Sequence, residues 1–123
     1  MIVDDSAFMR SAIGMMLKDE TDIEIIATAK NGLEAVELAK LHHPDVITLD
    51  IEMPKMDGLT ALGLIMKEVP TPVIMLSSLT TEGAESTLKA FELGAVDFIS
   101  KEMSFVNIDI GKIKDDLINK LRH

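Results

Sequence analysis

Short apolar runs rich in β-branched residues alternate along this chain with stretches in which apolar residues recur at helical spacing. This pairing repeats five times. Near-continuous apolar runs indicate strands buried on both faces, and the amphipathic stretches between them indicate helices that cover those faces. Because five strands are too few for a closed eight-stranded barrel, we predict an α/β fold: an open, doubly wound, parallel five-stranded sheet. The predicted strands are Ile2–Val3, Ile23–Ala27, Val46–Leu49, Val73–Leu76 and Ala95–Ile99.

The helical stretches carry recognisable end signals. Ser6 is a suitable N-cap for the first helix, and Pro44 requires the second helix to stop near His43. The third helix ends at Pro70, and Gly94 suits the residue that follows the fourth. The predicted apolar faces comprise Met9, Ala12, Ile13, Met16 and Leu17; Ala35, Val36 and Ala39; Leu62, Ile65, Met66 and Val69; Ala84, Leu88 and Phe91; and Ile110, Ile113, Leu117 and Leu121.

Composition narrows the classes of protein that fit. The 123 residues, 47% of them hydrophobic, suit one globular domain, and no apolar run is long enough to span a membrane. The absence of cysteine excludes disulfides and thiolate metal sites and favours a reducing, cytoplasmic location. A formal charge of -9 without a local basic patch argues against direct binding of nucleic acid.

Polar residues stand where four of the five predicted strands end. The carboxyl ends of parallel strands share one edge of the sheet, where ligands of such folds bind. Carboxylates gathered there would repel one another unless a divalent cation neutralised them, and oxygen donors without sulfur favour Mg²⁺ with water or a phosphoryl group. We therefore predict a magnesium site. The residues are Asp4 and Asp5 after the first strand, Asp50 at the end of the third, Ser77 and Ser78 at the end of the fourth, and Lys101 two residues after the fifth.

Four segments, taken in order and spacing, form a known pattern: "VDDS", "PDVITLDIEMPKMDGL", "PTPVIMLSSL" and "GAVDFISK". Together they resemble the receiver domain of two-component response regulators over nearly the whole chain. Three longer segments are similar to the receiver half of the chemotaxis protein-glutamate methylesterase: "DDSAFMR", "LDIEMPKMDGLTAL" and "SSLTTEGAESTLKAFELGAVDFISK". The full chain of that family adds a serine esterase domain, whereas no Gly-x-Ser-x-Gly elbow occurs here. From this chain alone we expect self-phosphorylation and autodephosphorylation, and no esterase activity.

The resemblance implies a flavodoxin-like fold with strand order 2-1-3-4-5 and a phosphoacceptor at Asp50. The phosphodonor would be a sensor histidine kinase. As ligands of Mg²⁺ the resemblance implies Asp5 and Asp50 directly, Asp4 through water, and the backbone carbonyl of Glu52.

The resemblance also implies a switch. Ser77 would hydrogen-bond the phosphoryl group, and Lys101 would pair with another of its oxygens. Ser77 would move towards the new oxygens and leave space into which Phe98 could turn. That movement would remodel the surface of the fourth helix, fifth strand and fifth helix, where an output domain or partner protein would bind.

Two features depart from the family pattern. Only Met1–Val3 precede the acidic pair, where a strand of about five or six residues is usual, so we expect this strand to be truncated at its start. Glu102 stands directly after Lys101, where family members usually have proline, so we expect the loop from Glu102 to Asp109 to follow a different path. We expect residues 1–123 to form one receiver domain without an output domain.

Two alternatives of other classes stay open at this stage. A phosphatase or phosphotransferase of haloacid-dehalogenase type also uses an aspartyl nucleophile at a strand end, and Glu52 lies at the offset of its general acid from Asp50. The acidic doublet far upstream and the short chain argue against it. An interaction module that keeps the fold without being phosphorylated is the second alternative, which a lack of magnesium binding would favour.

Overall fold

A computed structural model describes residues 1–18, 20–78, 81–101 and 118–119, and for residues 77, 78, 81–84, 86, 100 and 101 it describes the backbone alone. Strands and helices alternate as β1 (Ile2–Val3), α1 (Ala7–Leu17), β2 (Thr28–Ala29), α2 (Gly32–His42), β3 (Ile47–Asp50), α3 (Gly58–Glu68), β4 (Val73–Ser78), α4 (Thr81–Leu93) and β5 (Asp97–Lys101). The five parallel strands form one sheet in the order β2-β1-β3-β4-β5. This confirms the predicted doubly wound fold and its strand order.

The sheet is covered on both faces, as its apolar strands require. Successive residues of a strand point to opposite faces. In β4, Ile74 and Leu76 therefore pack in one cluster with residues of α1, whereas Val73 and Met75 pack in a second cluster with residues of α2, α3 and α4. No helix in the described part of the chain has the length and apolar character needed to cross a membrane.

The predicted helix ends are found at Ser6, His43 and Gly94. Ser6 is the N-cap of α1, and its Oγ accepts a hydrogen bond from the Met9 N–H at 3.2 Å. His43 ends α2 in the left-handed conformation with φ 47, and its N–H donates to the Ala39 carbonyl. Gly94 follows α4 with φ 114, a conformation that side-chain-bearing residues rarely adopt.

The predicted second strand, Ile23–Ala27, is wrong, because the strand found there is Thr28–Ala29. β1 pairs with β2 through Ile2 opposite Thr28, so the residues before Ala27 lie ahead of the first paired position. Ile25 and Ile26 are accordingly exposed. An apolar run marks the neighbourhood of a strand, but the register with the partner strand sets where that strand begins and ends.

The fifth strand was predicted at Ala95–Ile99 and is found two residues later, at Asp97–Lys101. The Ala95 N–H donates to the Ala90 carbonyl at 3.0 Å, which ties Ala95 to the end of α4. β4 also continues to Ser78, which pairs with Lys101. Lys101 is therefore the last residue of β5 and does not follow the strand, as predicted, by two residues.

The apolar face predicted for α4 is wrong at Leu88 and Phe91, and its third member, Ala84, has a side chain outside the described part of the chain. Leu88 is 69% exposed and Phe91 46% exposed, whereas Ala90 is buried in the core. Helical spacing identifies an apolar stripe but not the side that faces the sheet, and the small Ala90 allows the helix to approach it closely. The predicted fifth helix lies outside the described residues except for two helical residues at 118–119, of which Ile118 packs against the cluster beneath α1.

Candidate functional site

Three aspartates meet at the carboxyl edge of the sheet. β1 and β3 pair with Val3 opposite Leu49, so the next residues along the two strands, Asp4 and Asp50, lie side by side. One carboxylate oxygen from each of Asp4, Asp5 and Asp50 lies within 4.8 Å of the others. Asp4 and Asp50 are buried and Asp5 is exposed. Two carboxylates of the cluster thus lie inside the protein, and the third faces solvent.

Hydrogen bonds fix Asp4 from three directions. Its N–H donates to the Ala29 carbonyl of β2 at 3.1 Å, and its Oδ1 accepts from the Ser6 N–H at 2.9 Å. Its carbonyl oxygen accepts a hydrogen bond from Arg10 Nη1 at 2.6 Å. The β1–α1 turn is therefore held by the sheet on one side and by the first turns of α1 on the other.

Asp50 is held by the close packing of its backbone on the start of α3. The Gly58 N–H donates to the Ile51 carbonyl at 2.7 Å, and the Ile51 N–H donates to the Leu76 carbonyl at 3.1 Å. A Cβ atom on Gly58 would collide with the Asp50 carbonyl oxygen and would lie 2.8 Å from Ile51 Cα. Only glycine fits at this position, so the approach of α3 to the end of β3 is fixed by the sequence.

The loop between β3 and α3 is pinned at a second point, on the start of α2. The Gly32 N–H donates to the Met56 carbonyl at 3.0 Å, and a Cβ on Gly32 would lie 2.9 Å from Met56 Cγ. Lys55 adopts a positive φ of 65 within this loop. At the far end of the loop, the Asp57 carboxylate caps α3 by accepting from the Thr60 N–H at 2.8 Å. The segment that follows Asp50 is therefore anchored at both ends.

The strand register places the other predicted residues on the same edge as Asp50. Asp50 pairs with Leu76, so Ser77 is the next residue of β4, and Lys101 pairs with Ser78. The side chains of Ser77 and Lys101 lie outside the described part of the chain, and their roles stay predictions. The loop from Glu102 to Asp109 also lies outside it.

Two further predicted residues are seen directly. Phe98 is half-buried and packs against the core cluster that contains residues of α2, α3 and α4. Its N–H donates to Asp97 Oδ1 at 2.8 Å. Glu52 is exposed and lies two residues after Asp50. The switch role of Phe98 and the ligand role of the Glu52 carbonyl stay predictions.

Sequence reasoning missed the contribution of four residues to the site. Ser6 was predicted only as a helix cap, yet its N–H also holds the Asp4 carboxylate. Arg10 lies one helical turn after this cap, and that spacing was the available signal that its side chain contacts the β1–α1 turn. Gly58 and Gly32 each follow a polar residue at a helix start. The need for glycine comes from the end of β3, which packs on Gly58, and from the loop at Met56, which packs on Gly32, and no local pattern reveals either contact.

The donor set fits a hard divalent cation. All three ligand candidates are carboxylates, which suit cations that prefer oxygen over nitrogen or sulfur. Two of them are buried beside each other, so their mutual repulsion is poorly screened by solvent. A cation would relieve that repulsion, and the exposed Asp5 side leaves a path by which the ion and further ligands could enter.

A cavity of about 420 Å³ lies at the other end of the sheet. Its lining includes Met1, Pro44 and Val46, at the amino ends of β1 and β3, and Thr48, whose buried hydroxyl has no partner among the described residues. Because the acidic cluster lies at the carboxyl ends of these strands, this cavity is not part of the candidate site.

Comparison with known proteins identifies a family whose pattern extends over most of the chain. The family model described as "Response regulator receiver domain" matches residues 1–110. Among curated proteins, protein-glutamate methylesterase/protein-glutamine glutaminase 1 of Oleidesulfovibrio alaskensis is 61% identical over 121 residues, which cover 98% of this chain and 33% of that protein. This chain therefore spans about a third of the length of the curated relatives it matches.

Solved structures give the same result. The response regulator domain of Thermotoga maritima CheB is 49% identical with a TM-score of 0.90, and the match covers 98% of this chain and 90% of that one. A CheX–CheY complex with BeF₃ and Mg²⁺ from Borrelia burgdorferi contains a chain that is 37% identical with a TM-score of 0.80, and the match covers 98% of this chain and 86% of that one.

Proposed function

This chain belongs to the response regulator receiver domain family, and on that premise we propose that it takes a phosphoryl group from a phosphohistidine on a sensor kinase onto Asp50. The observation that carries the proposal is the cluster of Asp4, Asp5 and Asp50 at the carboxyl edge of the sheet. Family membership also argues against the haloacid-dehalogenase alternative, which rested on the offset of Glu52 from Asp50.

The transfer step uses the carboxylate of Asp50 as nucleophile. One of its oxygens attacks phosphorus in line, the bond between phosphorus and the histidine nitrogen breaks, and the released imidazole takes up a proton from solvent. The product is an acyl phosphate on Asp50, which water hydrolyses slowly to restore the carboxylate. The burial of Asp50 at a strand end supports this role, because the surrounding backbone fixes the direction of attack.

We propose Mg²⁺ as the cation, with Asp5 and Asp50 as direct ligands, Asp4 acting through water, and the Glu52 carbonyl as a further ligand. When bound, Mg²⁺ neutralises the charge that spreads over the phosphoryl oxygens during transfer. Asp4 and Asp5 would hold the ion beside Asp50, because their carboxylate oxygens lie within 4.8 Å of its own. We assign Lys101 to neutralise a second phosphoryl oxygen and Ser77 to donate a hydrogen bond to a third.

We propose that phosphorylation is read out on the face formed by α4, β5 and the predicted fifth helix. Leu88 and Phe91 on α4 and Val96 just before β5 are exposed apolar side chains, and clusters of such residues are typical of partner surfaces. Ser77 and Phe98 would couple Asp50 to this face. The partner would be an output domain, and the relatives' names support a protein-glutamate methylesterase domain in that place. We assign the protein to cytoplasmic chemotaxis signalling, as the sequence resemblance implies.

Intact-mass measurement tests the proposed function. After mixing with acetyl phosphate and Mg²⁺, the chain should gain one phosphoryl group, and chelation of Mg²⁺ should prevent the gain. The chain should not hydrolyse a small phosphate ester, because a receiver phosphorylates only its own aspartate. No mass gain under these conditions would favour an interaction module that is not phosphorylated.

Magnesium is expected to stabilise the fold, because it removes repulsion among the clustered carboxylates in the native state only. At 100 times the dissociation constant the gain in the free energy of unfolding is about 2.7 kcal/mol, which a rise in Tm would reveal. Asp5→Ala should abolish most of this magnesium dependence and raise the Tm in the absence of metal. Glu37→Ala, which removes an exposed carboxylate from α2, is the control and should respond to Mg²⁺ as the parent does. An Asp5→Ala curve that still rises with Mg²⁺ like the parent's would contradict the metal site.

Beryllium fluoride, a mimic of the phosphoryl group, is expected to shift the amide resonances of Ala95–Ile99 as well as those near Asp50. The reason is that the fluorine atoms of the mimic stand in for the phosphoryl oxygens and accept a hydrogen bond from Ser77 beside Asp50. This contact exists only in the modified state, so its free energy can bias a two-state element. Ser77→Ala should preserve shifts near Asp50 and weaken those at Phe98, whereas Ser11→Ala, at an exposed position of α1, should leave both sets unchanged. Shifts confined to the neighbourhood of Asp50 in the parent chain would mean that the domain is not a switch.

A further inference from the structure

The peptide group between Asp4 and Asp5 is held by a side chain of α1. Arg10 Nη1 donates to the Asp4 carbonyl oxygen at 2.6 Å, a short contact for a charged donor. Arg10 lies four residues after the N-cap Ser6, and side chains of a helix lean towards its N-terminus. The guanidinium can therefore reach back over the first turn of α1 and close the β1–α1 turn from the helix side.

Other contacts in the turn fix Asp4 but not the side chain of Asp5. The Asp4 N–H is bonded to β2, and the Asp4 carboxylate is bonded to the Ser6 N–H. Asp5 is exposed, and no described residue makes a hydrogen bond or ion pair to its carboxylate. The direction of the Asp5 side chain therefore depends on the orientation of the peptide plane that precedes it.

The carbonyl oxygen held by Arg10 belongs to that same peptide plane. We propose that Arg10 is a positioning residue, which directs the Asp5 carboxylate towards the cation site shared with Asp4 and Asp50 by fixing the plane of the Asp4–Asp5 peptide. This inference rests on the proposed function, because it assigns a magnesium ligand to Asp5. Groups that orient metal ligands without touching the metal typically alter its affinity by about 10- to 100-fold when removed.

The charge of Arg10 acts in the opposite direction. A guanidinium bonded to the Asp4 carbonyl brings a positive charge close to the acidic cluster; it offsets part of the repulsion among the carboxylates and, by charge alone, disfavours a second cation. Loss of Arg10 would tighten Mg²⁺ binding if only its charge mattered and would weaken binding if its hold on the peptide matters more. The sign of the change in Mg²⁺ affinity therefore separates the two roles.

The test is calorimetric titration of Mg²⁺ into the parent chain and four variants. Arg10→Ala and Arg10→Met, the second of which keeps the apolar stem, should each raise the Kd about 10-fold. Arg10→Lys keeps a charged N–H donor and should recover most of the affinity. Lys18→Ala removes a positive charge from the far end of α1 and should bind as the parent does. When each protein is saturated with Mg²⁺, self-phosphorylation by acetyl phosphate should return to the parent rate.

Three results would overturn the assignment. Unchanged or tighter Mg²⁺ binding by Arg10→Met, which serves alone if Arg10→Ala does not fold, would show that the charge outweighs the positioning. An equal loss of affinity in Lys18→Ala would show that the loss does not depend on the contact at the Asp4 carbonyl. Failure of Arg10→Lys to bind better than Arg10→Met would exclude the hydrogen bond as the cause. By contrast, a parent chain that binds no Mg²⁺ at all would refute the metal site of the proposed function, and the role of Arg10 with it.

Discussion

Gly58→Ala is expected to lower the free energy of unfolding by roughly 3 kcal/mol, at the upper end of the range for overpacking a close contact. The new Cβ would collide with the Asp50 carbonyl oxygen and press on Ile51 Cα at 2.8 Å. Both obstacles are backbone atoms at the end of a buried strand, so neither can move aside as a flexible side chain would. The loss is measured by urea denaturation, as a fall in the transition midpoint at an unchanged m value.

Gly63→Ala is the matched control for this prediction. Gly63 lies in the same helix, α3, and nothing lies within 4 Å of the position that its Cβ would take. Alanine is the better helix former, so this variant should be more stable than the parent by about 0.5–1 kcal/mol. Equal effects of the two substitutions would show that helix propensity, and not contact with the backbone of Asp50, governs position 58.

Asp50→Ala is expected to abolish self-phosphorylation by acetyl phosphate at every Mg²⁺ concentration. The substitution removes the proposed nucleophile, and a metal ion cannot replace the bond that this carboxylate forms to phosphorus. Asp45→Ala is the control, because Asp45 is an exposed carboxylate just ahead of the same strand, at the opposite edge of the sheet. It should incorporate phosphoryl at the parent rate in an intact-mass time course. A variant lacking Asp50 that gains one phosphoryl group as fast as Asp45→Ala would show that the nucleophile is wrongly assigned.

The fold could be predicted from the sequence because it depends on a repeated local pattern. Buried strands such as Val73–Leu76 and amphipathic stretches such as that around Ile13 differ clearly in period, and their alternation admits few topologies. The clustering of the aspartates could also be predicted, since it requires only that parallel strands end at one edge. What failed at Ile23–Ala27 and Ala95 was the exact extent of pairing, which is set by a partner strand or by the preceding helix.

The contacts that shape the site were less accessible to sequence reasoning. The hydrogen bond from Arg10 to the Asp4 carbonyl joins residues six apart in sequence, and it depends on the angle at which α1 leaves the turn. The need for glycine at position 58 depends on a backbone that passes over it from another element. Likewise, the outward orientation of Leu88 and Phe91 depends on the rotation of α4 on the sheet, which apolar spacing does not determine.

Location of the phosphoryl group tests the central claim most directly. The parent chain is phosphorylated with acetyl phosphate and Mg²⁺, the acyl phosphate is reduced with borohydride, and peptide mass spectrometry locates the reduced residue. We predict reduction at Asp50 alone, with Asp4 and Asp5 unmodified, and no reduced residue when Mg²⁺ is chelated. Reduction at Asp4 or Asp5, or none anywhere in a chain that binds Mg²⁺, would contradict the assignment of Asp50 as the phosphoacceptor.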